Sequence, residues 1–80
     1  MKCLRFFHRP GCHLCEEMLE QLEALKSELG FQLQQLDVDA DAQLRARYHT
    51  RVPVLEDAEG NLLCEVFLDP VSVMSYLQDA

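Results

Sequence analysis

The chain predicts an α/β fold of order βαβαββα, a four-stranded mixed sheet flanked by three helices, and three observations carry that expectation. Apolar residues recur every three or four positions from Leu14 to Leu29, the period of an amphipathic helix. Short strand-like runs stand on both sides of that helix, which is the layout of a parallel βαβ unit. Two further strand-like runs near the end enclose Asp57-Ala58-Glu59-Gly60-Asn61, a polar stretch whose Gly60 suits a hairpin turn.

Each element has a local reason. Cys3-Leu4-Arg5-Phe6-Phe7 is apolar and aromatic, and Pro10-Gly11 ends it. In the long helix Leu14, Met18, Leu22, Leu25 and Leu29 form a stripe expected to be core, while Glu16, Glu17, Glu20, Glu23 and Lys26 fill the other faces. Gly30 is its natural stop. Phe31 to Val38 alternates, with Phe31, Leu33, Leu36 and Val38 as inward candidates. Asp39 or Asp41 can cap a short helix in which Leu44 and Tyr48 lie one turn apart, and Thr50-Arg51-Val52-Pro53 ends it. Val54-Leu55-Glu56 and Leu62 to Phe67 should pair antiparallel. Asp69-Pro70 is a cap followed by proline at the first helical position, and Val73, Met74 and Leu77 give the last helix its apolar face.

Eighty residues suffice for one core, so a single domain over 1–80 is expected. The net charge of -7 would repel nucleic-acid backbones and anionic membranes, and neither is expected as a partner. Arg45, Arg47 and Arg51 form a local basic exception. Met1 to Phe7 contains no secretory apolar core, and no later run approaches the roughly 20 apolar residues of a membrane span. A soluble, cytoplasmic protein in a reducing compartment is the expectation, which argues against reading the four cysteines as a disulfide framework.

Chemistry concentrates in Gly11-Cys12-His13-Leu14-Cys15. Two cysteines at this spacing can close a disulfide across the first helical turn, and a helix N-terminus favours the thiolate. Cys12, at or near the cap, is therefore the candidate nucleophile, and Cys15, about one turn further in, is placed to resolve a mixed disulfide. His13 can modulate the thiolate as an imidazolium, with Glu16 and Glu17 opposing it. The same spacing is half of a zinc site, and His8, His13, Cys3 and Cys64 are available ligands, but no second closely spaced pair completes the set, so no metal is expected. Cys3 and Cys64 fall in strands and are expected to be small buried hydrophobes.

This order, with Cys-x-x-Cys after the first strand and Val52-Pro53 before the third, resembles the thioredoxin fold over nearly the whole chain. Phe7-His8-Arg9-Pro10-Gly11-Cys12-His13-Leu14-Cys15 resembles the glutaredoxins, specifically small bacterial glutaredoxin-like proteins with Gly-Cys-His-Leu-Cys. The resemblance implies that Val52-Pro53 is a cis-proline element facing the cysteines and offering backbone groups to substrate. It also implies that Arg9 binds a glutathione carboxylate. Arg51, beside that proline, is a second candidate for a peptide or glutathione carboxylate.

Two features depart from glutathione-dependent relatives: Val66-Phe67-Leu68-Asp69-Pro70 replaces their Gly-Gly and aspartates, and Leu14 replaces a common aromatic. The expected function is a thiol-disulfide oxidoreductase acting on protein or glutathione mixed disulfides. It is expected to be a monomer with no tightly bound cofactor, recycled by a thiol reductant or reductase, with glutathione one candidate co-substrate and the electron donor left open. The alternatives are an iron-sulfur or zinc protein, or a non-catalytic thioredoxin-fold interaction module.

Overall fold

The computed structural model describes residues 2–78, so Met1, Asp79 and Ala80 of the expected domain lie outside the described residues. Strand β1 (Cys3–His8) leads into helix α1 (His13–Leu29), followed by β2 (Gln32–Asp37), a 3-10 turn (Val38–Ala40) and α2 (Ala42–Tyr48). The β3 (Val54–Asp57) and β4 (Leu62–Glu65) hairpin and α3 (Pro70–Gln78) complete the fold. The sheet order is β2-β1-β3-β4, with β1 parallel to β2 and antiparallel to β3, and β4 antiparallel to β3. The α/β class, the element order and the mixed four-stranded sheet are those the sequence predicts.

Alternation along the strands divides the core between two faces. Leu4, Phe6 and Leu55 pack with Cys15, Met18 and Leu22 of α1 and Val73 of α3. On the opposite face Phe7 and Val54 pack with Val38 and Tyr48. Helices α1 and α3 thus cover one side and α2 the other. Among the described residues no helix is long and apolar enough to cross a membrane.

Capping follows the predicted chemistry. Gly30 takes φ 71°, and its N-H returns to the Lys26 carbonyl at 2.9 Å, which ends α1. Asp41 caps α2 by accepting from the N-H groups of Gln43 and Leu44 at 2.8 and 3.3 Å. Asp69 does the same for Val71 and Ser72 at the start of α3. Asp39 is not the α2 cap; Asp37 instead caps an unforeseen 3-10 turn by accepting from Asp39 N-H at 2.8 Å.

Four expectations need correction. Leu14 and Leu29, the ends of the supposed core stripe, are exposed at 36% and 41%. A helix of 17 residues is ~26 Å long and a strand of six only ~20 Å, so the helix ends overrun the sheet. Met74 is also exposed, because α3 buries Val73 and rests the half-buried Tyr76 and Leu77 against the core. Strand β2 is shorter than expected: Phe31 precedes it and Val38 follows it, both buried. Strand β4 stops at Glu65, because Val66 turns to φ 68° and leaves the ladder.

Candidate active site

The last residue of β1, His8, is followed by a turn in which Cys12 N-H donates to the Arg9 carbonyl at 3.3 Å. Pro10 and Gly11 occupy its centre, and Gly11 has φ 75°, the conformation that glycine takes without a steric penalty. This turn delivers Cys12 as the N-cap of α1, with extended φ and ψ of -89° and 109°. Its Sγ accepts the Cys15 N-H at 3.1 Å, so sulfur does the capping that a hydroxyl or carboxylate usually does. The Cys12 and Cys15 sulfurs face each other across the first turn of α1, with Cα atoms 5.1 Å apart, a separation that a disulfide can span. Cys12 is half-buried, whereas Cys15 is only 3% exposed.

The chain enters β3 through a cis Val52-Pro53 bond, the isomer implied by the resemblance. Val52 packs against both core clusters and Pro53 is buried. The Pro53 carbonyl accepts Val66 N-H at 2.8 Å, tying the cis-proline loop to the end of β4. Phe67 N-H then donates to Glu65 O at 2.7 Å, which makes Val66 the centre of a three-residue γ-turn with positive φ. A β-branched residue rarely takes that conformation. Val66 therefore adopts a glycine-like backbone in the segment where glycines were missed. The turn leaves Phe67 70% exposed beside a cavity of about 240 Å³ lined by Leu14, Met18, Val66, Phe67, Leu68 and Glu17.

The remaining candidates are distributed around this frame. Arg9 pairs through Nε with Asp39 at 3.1 Å, and Arg51 pairs through Nε with Glu65 at 2.9 Å. Both carboxylate-binding candidates thus already hold a carboxylate of this chain. His13 is exposed and its Nε2 meets Glu17 Oε1 at 3.1 Å, one turn along the helix. Cys64 is buried, which pushes its thiol above the ordinary range, while Cys3 is half-buried. Among the described residues no three His, Cys, Asp or Glu are grouped to hold a metal ion.

Sequence reasoning missed the partners more than the principals. Asp39 and Glu65 gave no local signal, since each is paired through the fold rather than along the chain. Beneath α2, the Tyr48 hydroxyl donates to the buried Glu56 carboxylate, and its ring stacks on Phe7 at 4.4 Å. The Arg47 and Arg51 guanidinium groups lie 5.3 and 5.7 Å from the Tyr48 ring, so part of the basic cluster surrounds this pair. Tyr48 also accepts Arg51 N-H through its carbonyl at 2.9 Å and so anchors the approach to Pro53.

Comparison with known proteins adds to the geometry. A family model described as the glutaredoxin-like domain (DUF836) matches residues 3–78. A Nitrosomonas europaea protein solved by solution NMR is 38% identical, with TM-score 0.84, over 96% of this chain and 92% of its own. An X-ray structure of an X. campestris protein is 30% identical, with TM-score 0.75, over 96% of this chain and 97% of its own. Oxidised mitochondrial thioredoxin 3 of Saccharomyces cerevisiae shares the fold, at 19% identity and TM-score 0.69, over 99% of this chain and 78% of its own. An uncharacterised Mycobacterium tuberculosis protein is 44% identical over 52 residues, 59% of this chain. The match spans about half, 54%, of that protein's length.

Proposed function

The chain belongs to the glutaredoxin-like domain family, and from that premise we propose that it is a thiol-disulfide oxidoreductase cycling Cys12 and Cys15 between dithiol and disulfide. The observation that carries the proposal is the capping of α1 by Cys12 Sγ, with Cys15 one turn along at a Cα separation of 5.1 Å. The unpaired N-H groups and positive end of the helix favour sulfur as thiolate, which is the attacking form. Cys12 attacks the substrate disulfide and forms a mixed disulfide. Cys15 then attacks Cys12 Sγ, releasing the second substrate thiol and closing the intramolecular bridge. A thiol reductant or reductase reverses the change.

In this reading the cis Val52-Pro53 element and the exposed Phe67 serve an extended substrate, with the peptide groups of the proline loop as its hydrogen-bonding edge. The acidic helix disfavours anionic glutathione, so the main substrates are polypeptide mixed disulfides and the electron donor is a thiol reductant or a reductase. We place the protein in the cytoplasm as a monomer without a tightly bound cofactor.

Cysteine variants test the assignment. Cys12→Ser should abolish exchange, and Cys15→Ser should accumulate mixed disulfides on Cys12, read by mass spectrometry after alkylation. Equilibration of the wild type in anaerobic glutathione buffers should give a reversible Cys12-Cys15 bridge with a midpoint of roughly -200 to -270 mV. Thiols that stay reduced throughout, or trapping on Cys15 instead, would defeat the proposal.

A further inference from the structure

We propose that His8 accepts the proton of Cys15 during the resolving step, an inference that rests on the oxidoreductase reading above. Residues of β1 alternate between the faces of the sheet, and Leu4 and Phe6 belong to the cluster that holds Cys15, Met18 and Leu22 of α1. His8 is next in that series. It ends the inward row beneath the first turn of α1, where the pattern turns from apolar to titratable. Its imidazole stacks on Phe6 with ring centroids 5.5 Å apart and planes 12° from parallel, which sets the ring's orientation. His8 and Cys15 line one cavity of about 180 Å³, together with Phe6, Arg9, Glu16 and Leu19. A single water needs only ~10–15 Å³ of such space, so the cavity admits a bridging water.

The chemistry gives such a group a role. Cys15 is 3% exposed, and burial disfavours its thiolate, yet the thiolate is the species that attacks. In the resolving step the Cys15-Cys12 sulfur bond forms and the bond from Cys12 to the substrate sulfur breaks. The substrate thiolate leaves with the electron pair. The proton from Cys15 passes to His8 and then, from the imidazolium, to the departing thiolate. The protein dithiol is oxidised by two electrons and the substrate disulfide is reduced by two, with no other reactant.

The charged groups around His8 come from three elements. Arg9, from the turn, offers no lone pair and is held by Asp39. Glu16, from α1, is exposed, and a carboxylate is a much weaker base than imidazole. Asp37, from β2, stands beside His8 in the parallel register, and its Oδ1 accepts Asp39 N-H. Imidazole is the group whose ordinary titration lies between pH 5 and 8.

The test follows reaction of the reduced protein with 4,4'-dithiodipyridine in a stopped-flow instrument. With Cys3→Ser in every protein compared, so that the half-buried Cys3 thiol does not contribute, the first pyridinethione released reports attack by Cys12, and the second reports resolution by Cys15. His8→Phe keeps a ring to stack on Phe6, and His8→Gln keeps polarity without a base of comparable strength, so one covers for the other if either folds poorly. Each should slow the second release at least tenfold at pH 7 while the first stays within twofold. The pH profile of the second release should also change in both variants and follow thiol ionisation alone. Unchanged second release in both variants would overturn the role of His8 alone. A wild type that releases one pyridinethione and forms no bridge would instead overturn the oxidoreductase reading.

Discussion

Tyr48→Phe removes one hydroxyl from beneath α2 and should cost about 2–3 kcal/mol of stability. Tyr48 is 1% and Glu56 5% exposed, and the Tyr48 hydroxyl donates to Glu56 Oε2. Phenylalanine preserves the ring and its stack on Phe7, so the apolar burial is kept and the polar bond is what disappears. A hydrogen bond to a charged acceptor contributes about 1.5–3 kcal/mol, and a buried carboxylate stripped of its donor falls toward the upper end. Arg5 stands opposite Glu56 in the β1 to β3 register and supplies some compensating charge, which keeps the cost from running higher.

For a domain of this size each kcal/mol shifts Tm by about 4–8 °C, so a drop of about 10–20 °C is expected. Urea unfolding followed by circular dichroism would measure it, and a cycle with Glu56→Gln should return a coupling of at least ~1 kcal/mol. A pH series adds an independent check. Burial, then the hydrogen bond and charge of Glu56, raise the Tyr48 pKa above its ordinary value. A raised folded pKa means that this stabilisation is complete below about pH 10 and is lost as pH climbs through the folded value. The gap between wild type and Tyr48→Phe should therefore narrow in alkali. A loss under about 0.5 kcal/mol at pH 7 would refute the reasoning, since it would fall below the range for a charged hydrogen bond.

Val66→Gly should stay within about 1 kcal/mol of wild type, because relief of the positive-φ strain offsets the lost side chain and the added chain entropy. Val54→Gly, the same change in the buried β3 strand, should cost about 3 kcal/mol, and equal losses in denaturant unfolding would contradict the strain argument. At the hairpin, burial opposes ionisation of Asp57, but the Asn61 hydrogen bonds, joined by Glu59 N-H, outweigh it and hold the carboxyl below its ordinary pKa. A lowered folded pKa gives stabilisation that is present above about pH 4 and lost as pH falls through the folded value. Asp57→Asn should flatten that acid limb in urea midpoints measured from pH 7 downward, and an unchanged limb would count against the assignment.

The fold was legible because its signals are local. The period of Met18, Leu22 and Leu25 and the glycine at position 30 specify α1 from within one stretch of chain. Asp41 and Asp69 announce two further helix starts by the same short-range chemistry. The errors came where local pattern and position in the fold compete. Leu14 has the right helical phase but lies at the end that overruns the sheet, and Phe67 looks like strand but follows a turn held by Pro53.

The α/β order and the cysteine pair at the start of a helix follow from local signals alone, because periodicity, capping and a three-residue spacing act within a turn or two of chain. Tertiary structure alone decided what surrounds those cysteines. It joins Arg9 to Asp39 across 30 positions and Arg51 to Glu65 across 14, and it brings the Pro53 carbonyl to Val66. It also sets His8 in the cavity of Cys15. These neighbours depend on strand register and on how a helix seats over a sheet, and such long-range placement follows from the packing of the whole chain rather than from any single segment.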